Sequence, residues 1–159
     1  MTAVIEAVRP ARPVRPADAD ALDALMARCS LETRYRRFFA PVRTMPVEYR
    51  QGVLAGDPAE HDALVISRPL GQIIALASLV RGVGDWELGL LVEDGWQRQG
   101  LGTTLVHELV ARARTRGVRR MRATVLPIAS GLLVWLGRIV PMERSTLDAD
   151  GISAVFRLL

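Results

Sequence analysis

The segment that most constrains this chain is Gln97-Arg98-Gln99-Gly100-Leu101-Gly102-Thr103. Residues 86–92 before it are rich in Trp, Leu and Val and follow the turn Gly82-Val83-Gly84-Asp85, so they read as a strand. After it, Leu101, Leu105, Leu109 and Ala113 recur every four residues, the mark of an amphipathic helix that Gly117 ends. A glycine-rich turn between strand and helix aims successive backbone N–H groups, and the positive end of the helix dipole, at one anion. Glycine lets a phosphate approach with no Cβ in the way. Two common users of such a turn are excluded. A dinucleotide fingerprint would place its third glycine at Leu105 and an acidic ribose ligand downstream, and a nucleoside-triphosphate loop would need Gly-Lys-Ser/Thr.

Around this unit the pattern predicts an α/β domain. A first short strand ends at Val14-Arg15-Pro16, and Asp18 is placed to cap a helix over 19–29 with apolar positions Leu22, Leu25 and Met26. Helices are predicted over 31–39 and 47–54, and strands over 63–67, 72–80, 121–126 and 152–158. An apolar helix over 130–139 is expected to be buried against the sheet. This order gives a mixed sheet with helices on both faces. With 159 residues and no repeats or linkers, 1–159 reads as a single domain.

Several classes drop out on composition. Residues 73–80 are among the longest apolar runs, far short of the ~20 residues that span a bilayer, so no membrane partner is expected. Residues 1–12 hold no apolar stretch of signal-peptide type. The single cysteine, Cys29, excludes an internal disulfide and any multi-cysteine metal site, and no metal is expected. These features suit a cytoplasmic protein. The net charge of +4 and isoelectric point near 10.4 raise a nucleic-acid partner. However, the chain has no Lys and no Asn, so all 21 basic residues are Arg, a bias that a G/C-rich genome explains. No specific nucleic-acid partner is expected, although a mild positive field favours a polyanionic ligand.

The pattern Gln-x-x-Gly-x-Gly, carried by Gln97, Gly100 and Gly102, resembles the signature of the GNAT superfamily of N-acetyltransferases. That signature, Gln/Arg-x-x-Gly-x-Gly/Ala, lies between the fourth strand and the third main helix. The flanks agree: Glu87 in the strand, Val92 closing it, Trp96 before the turn. The resemblance spans nearly the whole chain. It implies a mostly antiparallel central sheet of six or seven strands and acetyl-CoA as co-substrate. The backbone of Leu90, Leu91 and Val92 would then pair with the pantetheine arm. Gln97, Arg98, Gln99, Gly100, Leu101, Gly102 and Thr103 would hold the pyrophosphate. Upstream, the segment from Ser30 to Phe39 is similar to a Ser-x-x-Ser/Thr-x-Tyr-x-Arg-Phe-Phe stretch of one GNAT branch, which includes bacterial protein lysine acetyltransferases. It reads equally well as a helix with Tyr35, Phe38 and Phe39 in the core and Arg37 on a solvated face.

An acceptor amine with a pKa of about 10.4 is protonated at neutral pH and must lose a proton before attacking a thioester. Glu87 is the candidate general base; partial burial would have to raise its carboxyl above the ordinary value of about 4.3. Gly89 is expected to mark a β-bulge that opens the strand. Two family features are missing. Ala129 stands where Asn is common, and no Tyr follows it to protonate the leaving thiolate; the only tyrosines are Tyr35 and Tyr49. The lysine-acetylating branch commonly lacks that Tyr too. A non-catalytic acyl-CoA-binding sensor or regulatory domain is the alternative. A protein lysine or a small-molecule amine as acceptor, and a monomer or homodimer, are both left open.

Among the other reactive groups, His61 is expected on the surface in a polar turn and His107 on an exposed helix face. Cys29 and Trp135 are expected in the core. Arg112, Arg114, Arg116, Arg119, Arg120 and Arg122 are expected to form a solvated helix end complementing the dipole.

Overall fold

A computed structural model describes residues 8–159. Among these residues the strands are β1 (Arg12–Pro13), β2 (His61–Ser67), β3 (Ile73–Arg81), β4 (Trp86–Val92), β5 (Arg120–Val125), β6 (Met142–Asp148) and β7 (Gly151–Arg157). The α-helices are α1 (Ala19–Arg28), α2 (Leu31–Phe38), α3 (Val47–Ala55), α4 (Leu101–Thr115) and α5 (Gly131–Gly137). One seven-stranded sheet runs β1-β2-β3-β4-β5-β7-β6. Every neighbouring pair is antiparallel except β4 with β5. This is the mostly antiparallel α/β architecture that the resemblance implied.

The inner strands β2 and β3 are apolar on both faces because helices cover both. Leu64, Ile66, Ala77 and Leu79 pack with Leu105, Val106 and Leu109 of α4. Val65, Ile73 and Leu76 pack with Leu22, Leu25 and Met26 of α1. Leu105 and Leu109 are fully buried, each contributing about 2 kcal/mol of hydrophobic stabilisation. β4 serves both layers. Its Leu88, Leu90 and Val92 side chains turn to the α4 layer, whereas Leu91 packs in the α1 layer.

Several expectations are corrected. Asp18 does not cap α1. Its backbone already lies in the helical region, not the extended one an N-cap needs, and its side chain makes no cap bond. Its carboxylate instead takes Arg12 Nη1 and Nη2, at 2.7 and 2.9 Å, and the Arg15 N–H at 2.8 Å, bracing β1. Gly89 makes no bulge, since it pairs in continuous register with Ser78. His61 opens β2 instead of sitting in a surface turn. It is only 7% exposed, and its ring occupies the space that a side chain on Gly52 would need. α5 is not buried all round, because Leu132 and Val134 face solvent. Nor is the arginine cluster a free helix end. Arg112 and Arg116 both clamp the buried Asp62, Arg114 donates to the Leu158 carbonyl, and Arg120 pairs with Glu143. β6 was not anticipated at all: it is a sheet edge whose residues are all exposed, so neither face carries an apolar pattern.

Candidate active site

β4 and β5 join at one end and part at the other. Their parallel pairing covers Trp86↔Met121 and Glu87↔Arg122 only. On the opposite edge, the Gly82 N–H bonds Asp85 and the Glu93 N–H bonds Ile74. With the unbroken β3–β4 register these two bonds fix the alternation. Glu87, Gly89, Leu91 and Glu93 exchange hydrogen bonds with β3. Leu88, Leu90 and Val92 turn their N–H and C=O groups into the gap. The expectation for Leu91 is therefore corrected: its backbone is committed to Leu76 and its side chain is 1% exposed. Leu88 takes the place on the free edge that was assigned to Leu91. Only the register against β3 reveals this.

The gap widens into a cleft of about 750 Å³ whose walls include Arg37, Glu87, Leu90, Thr103, Thr124 and Trp135. At its mouth the turn after β4 carries Arg98 at φ 61° and Gly100 at φ 85°, both left-handed. Thr104 is the first residue of α4 to close a backbone bond, to the Gly100 carbonyl. The N–H groups of Leu101, Gly102 and Thr103 are thus the helix's unpaired donors, and all three residues line the cleft. Nothing lies within 4 Å of where a Gly100 Cβ would be, so the backbone there is open to a ligand. Gly102 has a different role. A Cβ would stand 3.1 Å from Leu90 Cδ2 and 3.6 Å from Trp135, so its absence lets α4 close against β4. Trp135 is half-buried, its indole N–H 3.3 Å from Thr103 Oγ1, and is a wall of the cleft as much as core.

Side chains brace the turn. Gln97 Nε2 donates to the Val92 carbonyl at 3.0 Å and to Thr33 Oγ1 at 3.2 Å, and Gln99 Nε2 donates to the Gly95 carbonyl. The Asp94 carboxylate accepts from the Ser30 N–H and from the Ser30 and Thr33 hydroxyls, which docks the start of α2 onto the turn. Ser30 also caps α2 by accepting from the Thr33 N–H.

Glu87 stands where the two strands part. Burial pushes its carboxyl above the usual carboxylate range, while Arg122 and Arg37 pull it back down. Arg122 Nε is 3.8 Å away, and Arg122 is itself held by Asp85 at 3.1 Å. Ala129 is buried in the turn after β5. Tyr49 commits its hydroxyl to Ser78 Oγ at 2.7 Å. Cys29 is buried, and burial raises its thiol pKa to about 11, which leaves it inert as a nucleophile. His107 is exposed on α4. Arg37, read from the sequence as a motif position or as part of a solvated helix face, lies over Gly89 on the Glu87 face of β4. Among the described residues no cluster of three or more His, Cys, Asp or Glu side chains is arranged for a metal, and no helix is long and apolar enough to cross a membrane.

The sequence model of the Acetyltransferase (GNAT) family matches residues 25–128, and the chain belongs to that family. Among solved structures, the GNAT domain of S. lividans PAT is 26% identical, with a TM-score of 0.82, over 92% of this chain and 89% of that one. A cAMP-binding acyltransferase from Mycobacterium smegmatis is 27% identical, with a TM-score of 0.62, over 94% of this chain but 43% of its own. The paia N-acetyltransferase from Thermoplasma acidophilum, in complex with coenzyme A, shares the fold at 13% identity, with a TM-score of 0.73 over 94% of this chain and 98% of that one. No curated protein sequence matches the chain.

Proposed function

We propose that this chain transfers the acetyl group of acetyl-CoA to a primary amine, a protein lysine or a small-molecule amine, by direct attack in a ternary complex with Glu87 as general base. The observation that carries this reading is the place of Glu87, half-buried with a raised pKa, where β4 parts from β5. A carboxylate there takes a proton from the incoming ammonium, and the freed amine nitrogen attacks the thioester carbonyl carbon. The Leu90 N–H, free of β3, donates to the carbonyl oxygen as negative charge gathers on it. The C–S bond breaks, sulfur departs as a thiolate, and the acylated nitrogen gives up its remaining extra proton to that thiolate, leaving a neutral amide and the CoA thiol. A thiol pKa of about 8.5 makes the thiolate a competent leaving group without a tyrosine acid. The unpaired N–H groups of Leu101, Gly102 and Thr103, beside the left-handed Arg98 and Gly100, suit a pyrophosphate, and the Leu88, Leu90 and Val92 edge suits an amide-containing arm. The PAT and coenzyme A-bound neighbours agree with this reading. The test is release of CoA from acetyl-CoA across a panel of peptides and small amines. Turnover by wild type that Glu87→Gln loses is the expected result; no turnover with any amine would turn the reading toward a CoA-binding sensor.

A further inference from the structure

Several arginines of this chain are matched with carboxylates: Arg12 with Asp18, Arg28 with Glu93, Arg112 and Arg116 with Asp62, Arg122 with Asp85. Arg37, half-buried in the cleft wall, makes no hydrogen bond or ion pair among the described residues. Its guanidinium carbon is 4.6 Å from the ring centroids of both Phe38 and Tyr49. It lies directly over Gly89, where any Cβ would overlap it. Cation–π contact holds the guanidinium without using its N–H donors. The cation is thus held in place by rings and by a missing side chain, with its donors left for something else.

The position says what that is. Gly89 follows Glu87 by two residues on the same face of β4, a separation of about 7 Å along the strand. The pyrophosphate turn begins beyond Val92, about 10 Å further along, so Arg37 is remote from that anion. Arg36 and Arg122, which line or flank this part of the cleft, are already paired with Glu32 and Asp85, so among the described residues Arg37 is the cation there whose donors are uncommitted. The geometry points to Arg37 as the anchor for a carboxylate of the acceptor, making the preferred substrate an amine that carries an acid group several ångströms from the reacting nitrogen. This deepens the reading above and rests on the acceptor approaching the Glu87 face of β4.

Three probes of equal length test it: γ-aminobutyrate, its amide γ-aminobutyramide, and 1,4-diaminobutane. Their Kd values are measured by NMR titration of CoA-saturated protein, and kcat/KM with acetyl-CoA. Wild type should bind the acid about 10-fold or more tighter than the amide, the worth of one hydrogen bond to a charged group, with the diamine weakest. Arg37→Gln should bring the acid-to-amide ratio close to 1, and Arg37→Lys should retain part of the preference. Melting temperature and CoA affinity confirm that both variants are folded. Equal Kd values in wild type, no binding of the acid, or a preference that survives Arg37→Gln overturns the proposal; the first two need no variant. The two readings fail separately. A wild-type preference in Kd with no turnover of any acceptor removes the chemistry at Glu87 and leaves Arg37 as the anchor, whereas equal binding and equal turnover of acid and amide does the reverse.

Discussion

The side-chain amide of Gln97 donates to the Val92 carbonyl, 3.0 Å away, and so occupies the last acceptor on the free edge of β4. The same amide reaches Thr33 on α2, tying strand end, turn and helix together. Gln97 therefore acts by positioning the turn. Gln97→Leu should raise KM for acetyl-CoA about 10-fold, the value of roughly one lost hydrogen bond, and leave kcat within a few-fold. An unchanged KM would mean that the turn keeps its place without this brace.

Glu87→Gln should leave acetyl-CoA affinity within a few-fold while turnover falls roughly 100- to 10,000-fold. The base works deprotonated, and burial raises its pKa, so wild-type kcat/KM should fall as pH drops through a value above the ordinary glutamate range. The deficit of the variant should shrink at high pH, where more of the amine is already neutral. Calorimetry and a pH–rate profile check the two halves. Full activity of the variant at neutral pH would place the base elsewhere.

Gly100→Val with Gly102→Val should abolish acetyl-CoA binding for two separate reasons. At Gly100 the left-handed backbone disfavours a side chain by about 1–2 kcal/mol, and the branch would fill the open side of the turn. At Gly102 the new atoms press on Leu90 and Trp135 and push α4 off the strand. Circular dichroism should still report a folded protein, with a lowered melting temperature. Wild-type affinity in a calorimeter would sink the assignment of the turn.

His61 makes folding sensitive to mild acid. Burial, reinforced by the charge of Arg37 and opposed by Asp62, lowers its pKa from 6.5 to about 4. Between those values the unfolded chain takes up a proton that the folded one refuses, so stability falls as pH drops through this window. The loss from pH 7 to pH 5 should be about 2 kcal/mol, read as a shift in urea midpoint. His61→Gln should remove most of the slope between these two pH values; an equal slope in both proteins would assign it to other groups.

What was legible in the sequence was local. The bounds of β4 and the glycine-rich opening of α4 follow from apolar pattern and turn chemistry within about thirty residues. The four-residue spacing of Leu101, Leu105 and Leu109 named the buried face of α4 correctly. What was missed depends on partners far along the chain. Whether Leu90 or Leu91 turns its backbone to the cleft is decided by the register against β3. Gly89 looked like a bulge because nothing nearby in sequence reveals that Arg37 fills the space above it. The arginines around 112–122 looked solvated because Asp62, fifty residues earlier, is what they hold. β6 lies at an edge with no buried face, so it left no periodic trace.

The fork between β4 and β5 presents main-chain groups, and every amino acid but proline supplies the same pair. Exchanging Leu88, Leu90 or Val92 for another residue repaints the wall and leaves the row of donors and acceptors untouched. On the function proposed above, grip on the donor molecule would be written in an alphabet of one letter, the peptide group, and side-chain exchange along this edge would leave it in place. On the inference drawn for Arg37, choice of acceptor would rest on side chains, each of which a single substitution can change. Proline at position 88, 90 or 92 is the spelling error the fork cannot absorb, because it deletes a donor from the row.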